Sequence, residues 1–342
     1  MINKNIVLIC CILISTLIFI IPIDLSISQE SSIQVSTRDH FDLDSGELKP
    51  GYTVNEYNAI NVPGLQEGNC PDESVIYVHG FLRNEYQADE EADRINLVLQ
   101  DKNYLIPVIG FTWDSNTGTP SIFDLTAGWE EAKKIANANG KKLAQFISDF
   151  KDKCSETDLR IIAHSLGSRV TFSAINSLFD DPSLNFTITS IHLLGAAIDN
   201  EQVSLESSDC NSNQPQLSCS GKAIEKVTKK FYNLYNPEDN LLQFSYPNAE
   251  PDTALGLRGS QSGIQTPDEK YYSEYDVRSE IPAYYYDADA NYIWDCLEFD
   301  LFPTSGDNHC GYMGYRSLIF SNHNSIRDDG AMNKVIDDWK NN

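Results

Sequence analysis

The stretch Asp158-Leu159-Arg160-Ile161-Ile162-Ala163-His164-Ser165-Leu166-Gly167-Ser168-Arg169-Val170 decides how the rest of the chain is read. Its first half is a short apolar run bounded by polar residues, the pattern of a strand buried on both faces of a parallel sheet. Its second half opens a helix, with Val170, Ala174 and Leu178 at i, i+4 and i+8. Between the two, Ala163-His164-Ser165-Leu166-Gly167 is a G-x-S-x-G-type corner, in which a sharp strand-to-helix turn lifts a serine hydroxyl out of the sheet. Ala163 stands where that pattern has Gly and adds a methyl at a crowded point. An ordinary corner capped by Ser165 would carry similar letters. The strand before it and the helix after it are what make Ser165 a candidate nucleophile.

Working outward, strand and helix signals alternate. Residues 73–80 form a buried run ending in Gly, 85–100 are helical, and 104–113 are a second strand candidate. Residues 126–150 have helical spacing, 186–198 and 230–235 supply two more strands, 292–302 another, and 331–339 a closing helix. Such alternation predicts an α/β fold, a parallel sheet with helices on both faces. His79-Gly80-Phe81 closes the strand of 73–80. A glycine there lets the chain turn so that the Phe81 amide, with the Leu166 amide at the helix start, can form an oxyanion hole.

These motifs resemble the α/β-hydrolases. VIYVHGF (75–81), DLRIIAHSLGSRV (158–170) and YNPEDNLL (235–242) are similar to lipase and esterase members. FTWDS (111–115) and GDNHCGYMG (306–314) are similar to a bacterial and archaeal branch of unassigned function. The resemblance implies a mainly parallel, eight-stranded sheet over residues 73–342, with the site at the carboxyl ends of the strands. Residues 29–72 match no motif and are set apart as an amino-terminal extension. A Tyr-rich insertion is expected at about 243–290, before the last strand; it either covers the site or is an ordinary surface subdomain.

In this fold the acid and then the histidine follow the serine. Asp239, in a Pro-containing turn just past a strand, is the first choice of acid. Asp199 is the alternative, and Glu238 comes third. Two histidines follow them. His309, in a turn-rich segment with Tyr312 three residues on, matches the family's histidine position, and His323 is the alternative base. The resemblance thus implies that His309 takes the Ser165 proton while Asp239 orients its ring, with no metal or organic cofactor. It also implies three disulfides, Cys70 with Cys154, Cys210 with Cys219 and Cys296 with Cys310. His40, His164 and His192 are read as structural.

The amino terminus sets the compartment. Lys4 precedes an unbroken apolar run from Ile6 to Ile23, and Ser26-Ile27-Ser28 offers small residues at the positions a signal peptidase reads. Residues 1–28 are therefore a signal peptide or an uncleaved anchor, and the remainder is secreted or extracytoplasmic. An even number of cysteines beyond the leader agrees, since exported chains oxidise them in pairs.

The chain carries 25 Lys+Arg against 50 Asp+Glu, a net charge of −25. That excludes nucleic-acid recognition, which needs dense basic residues, and leaves a membrane only the amino-terminal anchor. Two function classes remain. One is an exported serine esterase for small-molecule or lipid-like esters, with amidase activity as a variant. The other is a non-catalytic α/β-hydrolase-fold protein for binding or cell-surface interaction. The sequence leaves the oligomeric state open.

Overall fold

The computed structural model describes residues 32–66, 68–118, 126–210, 217–281, 309–316 and 327–341. In chain order its main strands are β1 (Gln34–Ser36), β2 (Asn58–Ile60), β3 (Glu73–Val78), β4 (Val108–Thr112), β5 (Asp158–His164), β6 (Ser190–Leu194), β7 (Phe231–Tyr235) and β8 (Tyr272–Asp276). They form one eight-stranded sheet in the order β2-β1-β4-β3-β5-β6-β7-β8. Only β2 runs antiparallel to its neighbour; every other pairing is parallel.

The central strands are apolar on both sides because both sides are covered. Ile76, Val78 and Ile161 face one core and Val75, Tyr77 and Ile162 the other. The first core is closed by α2 (Trp129–Lys153), α3 (Gly167–Phe179) and α4 (Gly221–Val227). The second is closed by α1 (Glu85–Asp101) and α8 (Met332–Lys340). Local chemistry fixes where helices begin and end. Asn84 and Gln87 exchange side-chain and backbone hydrogen bonds in a capping box ahead of α1. The ends of α2 carry Glu130 and Glu131 in the first turn and Lys151 and Lys153 in the last, matching the helix dipole. Three short helices follow β7: α5 (Asn240–Phe244), α6 (Tyr246–Ala249) and α7 (Leu255–Arg258).

Two boundaries differ from the sequence reading. Residues 29–72 are no mere extension: β1 and β2 from that segment complete one edge of the sheet. At the opposite edge, β8 lies inside the stretch read as an insertion, so part of that stretch belongs to the sheet. Its tyrosines pack into the fold, with Tyr272 buried beside Phe231 and Tyr275 stacked on Tyr232. The expected strand at 292–302, Tyr284, Tyr285 and Tyr286, and the leader 1–28 lie outside the described residues. Among the described residues no helix is long and apolar enough to cross a membrane.

Two disulfides are present. Cys70–Cys154 joins the approaches to β3 and β5, and Cys210–Cys219 closes a local loop. Cys296 and the Cys310 side chain fall outside the described residues.

Register brings the chemistry to one edge. Val78 pairs with Ala163, Ala163 with Leu193, and Leu194 with Leu234, so the carboxyl ends of β3, β5, β6 and β7 lie side by side.

Candidate active site

Ser165 follows β5 directly and is held at φ 53°, a left-handed conformation that few non-glycine residues adopt. Its backbone is fixed on both sides: its N–H donates to Leu194 O at 3.0 Å, and its carbonyl accepts the Ala197 N–H at 3.2 Å. The corner is too tight for any but the smallest neighbours. A Cβ on Gly167 would stand 2.3 Å from Val78 O, and one on Gly80 would stand 2.8 Å from Ser165 Cβ and 3.3 Å from its Oγ. Ala163, by contrast, ends its side chain in the apolar core, where its methyl is accommodated.

The His79-Gly80-Phe81 turn therefore lies against the serine. His79 is buried, and its ring is committed at both nitrogens. Nε2 accepts the Trp113 N–H at 3.1 Å and has Arg38 Nη2 at 3.2 Å, so Nδ1 carries the proton and donates to Gly80 O at 2.9 Å. Burial, helped by Arg38, pulls its pKa down to about 3, which keeps it neutral. The Gly80 carbonyl and the Phe81 N–H belong to one planar trans peptide, so a bond that holds the first aims the second. Among the described residues neither the Phe81 nor the Leu166 N–H finds an acceptor, as free oxyanion donors require.

Asp239 and His309 meet beneath this corner. Asp239 caps α5: its Oδ1 accepts the Leu242 N–H at 2.9 Å, and its fully buried Oδ2 lies 2.7 Å from His309 Nδ1. Tyr312 OH reaches the same Oδ2 at 3.3 Å. His309 opens a short 3-10 turn, His309–Met313, and is itself buried. Its backbone is tied to the corner by His164, whose Nε2–H donates to His309 O at 3.0 Å, the two rings lying 4.9 Å apart. Burial and the neighbouring His309 lower the His164 pKa to about 4. No hydrogen bond joins Ser165 Oγ to His309 Nε2.

The other candidates lie elsewhere. The Asp199 carboxylate accepts from Tyr246 OH at 2.6 Å, and Glu238 is exposed. His40 is bonded to Lys142, and His192 packs between Asp338 and Tyr232. His323 is outside the described residues. The roles of His79 and His164 as holders of neighbouring backbone went unread in the sequence. The only signal was their place: a polar ring at the buried end of a strand must find partners.

Residues 67–251, more than half of the chain, match the family described as alpha/beta hydrolase of unknown function (DUF900). The chain belongs to that family. Among solved structures it is similar to lipase B of Aspergillus fumigatus, at 11% identity over 61% of this chain and 46% of that one, with a TM-score of 0.37. It is also similar to the catalytic core domain of acetyl xylan esterase from Trichoderma reesei, at 14% identity over 60% of this chain and 82% of that one, with a TM-score of 0.31. Neither likeness bears on what this α/β-hydrolase acts on. Among curated proteins none matches it.

Proposed function

We propose that this α/β-hydrolase is an exported serine hydrolase that cleaves carboxylic esters. The observation that carries this reading is the 2.7 Å contact between His309 Nδ1 and the buried Asp239 carboxylate, made next to a serine held at positive φ. Asp239 fixes the tautomer in which Nε2 of His309 is free to take a proton. Ser165 Oγ then attacks the acyl carbonyl as His309 receives its proton, and the Phe81 and Leu166 amides hold the oxyanion. His309 returns the proton to the leaving alcohol, and water, activated by the same ring, releases the acyl group. The ring must come within hydrogen-bond reach of Ser165 Oγ for this step; such contacts are often long before substrate arrives.

Export is supported by the apolar run at 6–23 together with the two disulfides. An apolar acyl or alcohol portion would suit the partly buried aromatic pair at the oxyanion turn, Phe81 packed against Trp129 at 5.3 Å. A second reading is a binding protein that keeps the fold without turnover.

Intact-mass analysis after exposure to a fluorophosphonate separates the two. The hydrolase reading expects one adduct per chain, absent in Ser165→Ala and strongly slowed in His309→Ala. A folded, oxidised protein that takes up no adduct would favour the binding role.

A further inference from the structure

We propose that Asp199, Glu201 and Asp252 form a calcium site beside the candidate active site. One carboxylate oxygen from each lies within 4.8 Å of the others. Three carboxylate oxygens this close can share one calcium ion, which takes its oxygen ligands at about 2.3–2.6 Å in a flexible shell. The donors are all hard oxygens, the set that selects calcium over zinc or copper.

Glu201 points to a ligand independently of the cluster. It is 5% exposed, and its Oε2 is buried with no hydrogen-bond partner. A buried carboxylate oxygen with neither donor nor cation beside it is costly, and proteins rarely keep one without use. Arg169 draws on Asp199 electrostatically, but its hydrogen bond goes to Asn137. Asp199 and Asp252 are only half-buried, so an ion can enter with water completing its shell.

The location gives the ion work to do. Asp199 bridges to Ala254, Asn200 N–H donates to Thr253 O, and Leu255 N–H donates to Ile198 O. The strip 196–202 therefore lies against 252–256, and the same strip supplies the Ala197 N–H that holds Ser165 O. An ion on these carboxylates would clamp the two segments beneath the serine.

The test is calorimetric titration of the EDTA-stripped full chain, disulfides intact, with CaCl2, alongside melting curves. The expected result is one ion per chain with Kd of about 10⁻⁴ to 10⁻³ M, as in other extracellular oxygen-ligand sites, and a Tm that rises by several degrees in about 10 mM CaCl2. Glu201→Gln should abolish both the heat and the Tm rise while melting no lower than the parent in EDTA, because the uncompensated charge is gone. If that variant does not fold, Asp252→Asn should weaken binding about tenfold or more. No heat with CaCl2, binding retained in both variants, or tighter binding of MgCl2 would each overturn the proposal. Heat and melting are read without turnover, so the outcome is independent of the esterase reading.

Discussion

In the proposed mechanism His79 acts on the site through a peptide bond rather than through its charge. Its ring accepts from Trp113 and donates to Gly80 O, so the Phe81 amide is aimed before any substrate arrives. His79→Ala leaves the Trp113 N–H buried without an acceptor, a loss of about 1–3 kcal/mol, and frees the Gly80–Phe81 peptide to rotate. The expected outcome is a folded protein with a lower Tm whose fluorophosphonate labelling slows about 10²-fold, the scale of a lost oxyanion donor; labelling at the parent rate would remove the role. Asp239→Asn should slow labelling about 10⁴-fold through the wrong histidine tautomer, which a time course by mass spectrometry would measure. At this scale the sequence was readable where spacing sufficed. Ser165 stood out from its strand and helix, but Asp239 and Asp199 each follow a strand, and only their partners in space, His309 for one and Tyr246 for the other, tell them apart.

Elements were legible in proportion to how buried they are. β3, β5 and β6 are apolar on both faces and so read plainly as strands, whereas β1 and β2 have three residues each and β2 lies at the edge with its side chains largely outward. β8 reads Tyr-Ser-Glu-Tyr-Asp, too polar to suggest a strand; its Glu274 is satisfied by Ser260 and Tyr272, contacts invisible in one dimension. A similar long-range polar contact joins α2 to the residue after α6. Lys133 Nζ meets Glu250 Oε1 at 2.6 Å with both side chains almost wholly buried, and Trp129 Nε1 donates to the same oxygen at 2.6 Å. Lys133→Met would strand that carboxylate and is expected to lower stability by about 3–5 kcal/mol in urea unfolding. Lys133→Met with Glu250→Gln should recover much of the loss, since the stranded charge is then gone.

At the scale of the whole molecule, burial of neutral histidines makes the fold sensitive to acid. His79 and His164 titrate at about 3 and about 4 in the fold, below the ordinary 6.5 of the unfolded chain. Below pH 6.5 the unfolded state therefore takes up protons that the folded state refuses, and stability falls as pH drops from about 6.5 toward 4. His164 alone contributes about 3 kcal/mol to this loss, at about 1.4 kcal/mol per unit. Glu91, held at about 2 by Arg83, adds to it below pH 4.5. Asp89, raised to about 6 mainly by burial and by Glu85, works the other way, since acid removes its charge. Melting curves from pH 7 to 4 in EDTA should show Tm falling, and His164→Gln should flatten the slope. A Tm that holds or rises toward pH 4 would count against the assignment.

The two disulfides also bear on how the chain is made. No cysteine lies between Cys70 and Cys154, and none between Cys210 and Cys219, so each bridge joins a thiol to the next one along the chain. If the chain is exported as proposed, threading amino terminus first presents Cys70, then Cys154, long before Cys210 emerges. An oxidant that simply couples thiols in order of arrival reaches these two native bonds directly, and a reshuffling isomerase has nothing to correct in them.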